Sequence, residues 1–481
     1  MTISPLALPD RRGFLLSAGG GFGAIALDAM LAQERRCIQA GEAISEASSA
    51  DRPWFDPARA RVKRIIWLFM HGGPSHVDLL DPKPELGRLA GQPLPESFGP
   101  VRTRRKVAEN PLLGPIKPFR PRGQSGLEIS DFLPEIARHA DDLCVIRGMH
   151  GDSVNHPQSV YQWNTGSIRM GRPSVGSWVA YGLGSEAENL PTFVVLPDPA
   201  GGLKGGPPAW GNGFLPANFQ GVTMRSGPQP ILHLKPPDGF SATRQREAIE
   251  LLQSFNREHR RSRDNDHELA ARIEAYELAF RMQSSATELV DVADESDATR
   301  RLYGLDQPHT KDFGNRCLLA RRMVQRGVRF VQVYSGDTNG WDAHNDVLKN
   351  HSEHCLATDQ PVAALLSDLK RLGLWQDTLV IWGGEFGRMP MGEAGKGRDH
   401  NPWGYSMWLA GGAVRGGSAH GATDPIGLRA TENPVHVRDL HATLLHLLGV
   451  DPRALSYYHN GLEERLIGPT DDARVVTEIL S

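Results

Sequence analysis

Short apolar runs recur along this chain, and most lack the polar alternation of a half-buried strand. Arg64-Ile65-Ile66-Trp67-Leu68-Phe69-Met70 is the first, and it ends at His71-Gly72-Gly73-Pro74. Others lie at 143–146, 193–196, 328–333, 378–382 and 407–409. Such runs predict buried strands of a largely parallel sheet. Between them are stretches of helical period, at 315–325, at 356–372 with Leu365, Leu366 and Leu369, and at 438–448 with Leu440, Leu444, Leu445 and Leu448. Strand alternating with helix predicts an α/β fold, a doubly wound sheet with helices on both faces.

Two segments depart from this rhythm. Residues 241–300 are densely charged, with a stripe at Leu269, Ile273, Tyr276 and Phe280, and predict a helical insertion. Residues 197–237 are rich in Gly and Pro and predict a layer of loop. The main domain is expected over 61–470, with a mixed polar linker at 34–60 before it and a tail at 471–481 after it. Asp10-Arg11-Arg12-Gly13-Phe14-Leu15-Leu16, followed by a small apolar run, reads as a twin-arginine signal peptide over 1–33. The expected partner is then the twin-arginine export machinery, and the expected location periplasmic or extracellular. The run is too short and Gly-rich for a stable membrane span.

A length of 481 residues suits one large α/β domain with insertions. Lys and Arg total 53 against 56 Asp and Glu, so no broad basic face for nucleic acid is indicated. The four cysteines, Cys37, Cys144, Cys317 and Cys355, show no metal-ribbon spacing, and buried free thiols are expected.

The candidate chemistry lies where strands give way to Gly-rich loops, which is where α/β proteins keep their sites. After the first strand, Asp78, His71 and His76 offer ligand atoms, although Asp78 and Asp81 equally suit turn capping. After the second, His150-Gly151-Asp152-Ser153-Val154-Asn155-His156-Pro157 opens a short helix. There Ser153 is a candidate nucleophile, and Asn155 and His156 are candidates to hold an oxyanion. Asp342 and His344, two residues apart, project to one side of an extended segment. Glu385 follows a buried strand, where a charge is costly unless it is paired or metal-bound. His400 completes the group, and Arg388 and Arg398 are candidates to clamp an anion bidentately. Asp78, Asp342, His344, Glu385 and His400 are thus the expected ligands of a divalent metal, with zinc, manganese or calcium as candidates.

The segment 378–387 resembles the T-L-V-V-x-x-S-D-H-G strand and loop of the alkaline phosphatase and sulfatase superfamily, and 437–449 resembles its closing helix. More closely, the stretches 72–84, 340–344, 383–388, 397–402 and 458–461 resemble the DUF1501 family, which is sulfatase-like. The resemblance implies an alkaline-phosphatase-like core and metal-assisted hydrolysis of a phosphate or sulfate ester. It also implies that Asp342 and His344 share one metal, with Glu385 and His400 at later ligand positions. Phe386 stands where the superfamily has a ligand His, and no C/S-x-P-x-R nucleophile motif is present. The expected function is therefore an exported metal-dependent hydrolase of small-molecule or polysaccharide esters. A water activated by the metal, or Ser153, would attack. The alternative is a non-catalytic envelope protein of the same fold that binds polysaccharide, with Trp341 and Trp403 as sugar platforms.

Overall fold

Strand β1 (Arg64–Met70) shows how the first apolar run divides the molecule. Side chains alternate along a strand. Ile66, Leu68 and Met70 enter one core, with Cys317, Val362, Leu365, Leu366 and Leu369. Ile65, Trp67 and Phe69 enter another, with Val160, Trp163, Trp178, Leu440 and Leu444. A strand buried on both faces has no polar positions to show, hence the unbroken run. The computed structural model describes residues 52–187, 189–225, 242–261, 273, 277, 278, 280–282, 288–470 and 472–481. The expected signal peptide, Cys37 and the residues Leu269 and Tyr276 of the charged stripe lie outside the described residues.

The remaining strands of the main sheet are β2 (Leu143–His150), β3 (Phe193–Leu196), β4 (Val222–Thr223), β5 (Phe330–Ser335) and β6 (Thr378–Gly383). A hairpin of β7 (Gly387–Glu393) and β8 (Gly397–Asn401) stands apart from that sheet. β9 (Tyr405–Ala410), β10 (Ser418–His420) and β11 (Val435–His436) return to it. The order is β10-β2-β9-β6-β1-β5-β3-β4, with β11 also beside β2. β9 runs antiparallel to both its neighbours, and the other pairings are parallel. The fold is thus mixed α/β, as the strand and helix pattern predicts, with one reversed strand.

Helices α1 (His156–Thr165), α2 (Val175–Leu183) and α5 (Val437–Leu447) send buried side chains into the core that holds Trp67. Helices α3 (Lys311–Gln325) and α4 (Val347–Arg371) do so for the core that holds Leu68. α4 begins where Asp346 accepts the Lys349 N–H at 2.9 Å, which closes the loop 336–346 after β5. The register sets Met70 beside Ser335 and Phe69 beside Gly383. The loops after β1, β5 and β6 therefore leave the sheet side by side, at the carboxyl ends of parallel strands. Cys144, Cys317 and Cys355 are buried free thiols. No helix among the described residues is long and apolar enough to cross a membrane.

Candidate metal centre

Gly72 draws three of these loops together. Its N–H donates to both oxygens of Glu385, at 3.0 and 3.1 Å. Its φ of 110° is a region L side chains rarely adopt, and a Cβ there would lie 2.5 Å from the Trp341 nitrogen and 2.6 Å from that of Asp342. The bare turn lets the loop carrying Asp342 approach the loop carrying Glu385.

Three imidazoles converge on Asp342 through the same ring atom. His156 Nε2 lies 2.9 Å from Oδ2, His344 Nε2 2.9 Å from Oδ1, and His400 Nε2 3.1 Å from Oδ1. Each ring is held at its other nitrogen. His156 Nδ1 faces Glu385 Oε1 at 2.7 Å, His344 Nδ1 faces Glu393 Oε2 at 2.5 Å, and His400 Nδ1 donates to the Val154 carbonyl at 2.6 Å. A partner behind Nδ1 fixes the tautomer and aims the Nε2 lone pair forward, the usual support of a metal-binding histidine. His344 Nε2 is buried and makes no hydrogen bond despite its nearness to Asp342. Burial pushes the His400 ring well below the ordinary imidazole value, against the pull of Asp342. Neutral and donating through Nδ1, it turns a lone pair toward a carboxylate oxygen. Acceptors facing acceptors at this distance suit a bound cation, so this donor set fits a metal.

Burial opposes the charge of Asp342, but the Arg388 guanidinium beside it outweighs burial and holds the carboxyl far below the usual carboxylate range. Arg388 is fully buried and reaches Asp342 Oδ1 at 2.8 Å. Lys204 approaches the other oxygen, with Nζ 2.9 Å from Oδ2. Phe386 stacks on His400, with ring centroids 4.3 Å apart, and supports the ring rather than ligating.

Several expected roles change. Glu385 is buried, with its oxygens on the Gly72 N–H and on His156 Nδ1, and it groups with His71 and His156 rather than with Asp342. His156, expected to hold substrate, instead joins Asp342 and His400 in one group of close ligand atoms. Asp78 joins none of the ligand groups. Both its oxygens face Arg398, at 2.8 and 3.2 Å, and they also meet the Ser75 hydroxyl and the Ile116 N–H. That pair is fully buried, so Arg398 is not free to clamp an anion. Neither is Arg388, which also donates to the carbonyls of Gly72, Gly73, Trp341 and Arg398. The Ser153 hydroxyl donates to Gln158 and accepts from the Asn155 N–H, which caps the loop rather than arming a nucleophile. Trp341 is wholly buried, against His354 and Trp382, and offers no sugar platform. His71, His156 and Glu385 form a second group of close ligand atoms, as do His344, Asp399 and His400. Both His71 nitrogens already meet backbone groups, the Asp337 carbonyl and the Lys204 N–H. Asp399 likewise accepts the N–H groups of His400 and Arg105.

A cleft of about 600 Å³ opens over Asp342, lined also by Arg104, Arg105, Asn155, His156 and Lys204. Asn155, expected to bind substrate, is among the residues that line this cleft. The cations that line it are Arg104, Arg105 and Lys204, and the two expected arginines do not. The sequence signal for Arg104 and Arg105 was a basic run, Arg102-Thr103-Arg104-Arg105-Lys106, in a nearly neutral chain.

Gly397 opens β8, and a Cβ there would lie 1.7 Å from the His344 carbonyl oxygen. Gly397→Ala is expected to push the hairpin away from the His344 loop and to cost about 1–3 kcal/mol. Urea denaturation checks the loss; a midpoint equal to that of the native sequence would contradict it.

A search of the curated proteins returns no match. Among solved structures, the chain is similar to a sulfatase from Pseudoalteromonas sp. at 13% identity, covering 92% of this chain and 77% of that one, with a TM-score of 0.36. It is similar to an alkaline phosphatase superfamily protein from Vibrio parahaemolyticus at 10% identity, covering 93% and 79%, with a TM-score of 0.35. The lipoteichoic acid synthase from Listeria monocytogenes matches at 10% identity over 90% and 81%, with a TM-score of 0.34. At these scores the likeness carries no weight for the chemistry, which rests on the side chains above. The family model described as "Protein of unknown function (DUF1501)" matches residues 62–480, and the chain belongs to that family.

Proposed function

We propose that the protein is a metal-dependent hydrolase of phosphate or sulfate esters, of the alkaline phosphatase and sulfatase kind. The observation that carries this reading is the convergence of three Nε2 atoms, from His156, His344 and His400, on the Asp342 carboxylate, with every Nδ1 held from behind. Those four side chains would hold the metal. Three imidazoles with one carboxylate favour zinc or manganese over calcium, which prefers oxygen ligands. When bound there, a divalent cation supplies Lewis acidity toward an ester oxygen and toward water.

The chain's own residues supply the rest. Glu385 and Glu393 fix two of the imidazoles, so the ligands are oriented before substrate arrives. Lys204, Arg104 and Arg105 line the approach and favour an anionic group over a neutral one. The engaged Ser153 hydroxyl supports water as the nucleophile. Burial of Trp341 removes one of the two tryptophans that favoured a purely sugar-binding protein, while Trp403 is half-buried. Export by the twin-arginine route remains part of the proposal and rests on Arg11 and Arg12.

The test joins metal content to turnover. Protein purified without chelator should carry at least one equivalent of metal per chain and hydrolyse p-nitrophenyl phosphate or p-nitrophenyl sulfate. Chelation should abolish the hydrolysis, and zinc or manganese should restore it. Metal-free protein that takes up neither ion and cleaves neither ester overturns the reading.

A further inference from the structure

The loop 101–110 carries more charge than the cleft needs for a single ester. Arg102, Arg104, Arg105 and Lys106 are all exposed. The whole chain has a net charge of -3. Among the described residues only Arg105 of these four has an ion-pair partner, Glu393 at 3.0 Å. Like charges crowded this way repel, and among the described residues Arg102, Arg104 and Lys106 have no ion-pair partner, with Glu109 the one carboxylate in the loop itself.

The loop is nonetheless firmly held. The Arg105 N–H donates to Asp399 Oδ2 at 2.7 Å, and the Val107 N–H donates to Thr103 Oγ1 at 3.0 Å. Arg429 donates to the carbonyls of Phe98 and Pro100, both at 2.8 Å. Val107 is buried in an apolar cluster with Leu86, Leu112, Met389 and Met391. The loop is therefore a fixed support for these cations, two of which reach the cleft. Arg104 and Arg105 line it, with Lys204 at Asp342, and Arg104 Nη1 lies 3.5 Å from His400 Nδ1. A lone ester group is served by Lys204 and the metal ligands. The further cations call for further anions on the same ligand. Among the described residues no Phe, Tyr or Trp lines the cleft, which leaves it without the stacking platforms that bind single-stranded nucleic acid.

We infer that loop 101–110 is a binding subsite for a polyanionic glycan, sulfated or phosphorylated. One ester of that chain sits at Asp342, and its neighbours lie along Arg104, Arg102 and Lys106. The inference rests on the proposed hydrolase only for which group is cleaved. Binding of the glycan is separate from cleavage.

The test is calorimetric titration of the full-length purified protein with dextran sulfate, phosphomannan and neutral dextran. At least one charged glycan should bind and neutral dextran should not. Which charged chain binds more tightly identifies the anion. Affinity should fall roughly tenfold or more as salt screens the charges. The triple variant Arg102→Ser, Arg104→Ser, Lys106→Ser should lose roughly tenfold or more of that affinity. A charge-conserving variant, Arg102→Lys with Arg104→Lys, should retain it. Unchanged affinity in the triple variant overturns the subsite. So does tighter binding of a single-stranded oligodeoxynucleotide of matched charge. Glycan binding without hydrolysis of any ester overturns the proposed hydrolase and supports the subsite. Hydrolysis of p-nitrophenyl esters without glycan binding overturns the subsite alone.

Discussion

Asp342→Ala is expected to abolish metal uptake and ester hydrolysis and to lower the stability of the fold by about 3–5 kcal/mol. The two losses have separate causes. The carboxylate is the point on which His156, His344 and His400 converge, so without it the three rings face each other across a gap. It is also the anionic partner of Arg388, whose guanidinium is fully buried. Removing one member of a buried pair leaves the other charge uncompensated, and four backbone carbonyls do not neutralise it. The lysine at Oδ2 is half-buried and can turn to solvent, so it adds little to this cost. Elemental analysis and urea denaturation of the same preparation read both effects. A variant that keeps stoichiometric metal would remove Asp342 from the centre.

Asp78→Asn should cost about as much, on the order of 3–5 kcal/mol, while metal content stays at the native level. Asp78 and Arg398 are fully buried and bound through two oxygens, so the change strands a guanidinium in the interior. Burial works against the Asp78 charge, and Arg398 and the Ser75 hydroxyl outweigh it, so the carboxyl lies below its ordinary value. The sign follows. A depressed carboxyl contributes stability at pH above its unfolded value, about 3.9, and loses that contribution as pH falls through the lower folded value. The gap between native and Asp78→Asn proteins should be full at pH 7 and narrow in acid. Loss of metal from Asp78→Asn at neutral pH, in protein that is still folded, would return this residue to the ligand set.

These two aspartates show what the sequence could and could not tell. Both follow a buried strand, both lie near Gly and His, and both look like ligands in one dimension. What separates them is which side chain each one faces, and that depends on contacts more than 300 residues apart for Asp78 and Arg398. β1, β3 and β6 were legible because strands buried on both faces are continuous apolar runs. The β7–β8 hairpin was not. Its buried positions include Arg388, Arg398, Asp399, His400 and Asn401, so no apolar pattern marks it. The same polarity made Arg388 and Arg398 look available, since a sequence states charge but not burial. Asp342, His344 and His400 were legible as a group from their strand-end positions. The parts taken by His156 and Glu385 turn on which ring nitrogen faces which carboxylate, and only the folded geometry specifies that.

Glu393 belongs to two of the arrangements at once. One oxygen meets His344 Nδ1 and the other meets the Arg105 guanidinium, so a single carboxylate touches both a ring at the proposed metal centre and the basic loop. Two ligands that bias a shared group are thermodynamically linked, and such linkage is reciprocal. Whatever factor an anion on the loop applies to cation affinity, the cation must apply to the anion.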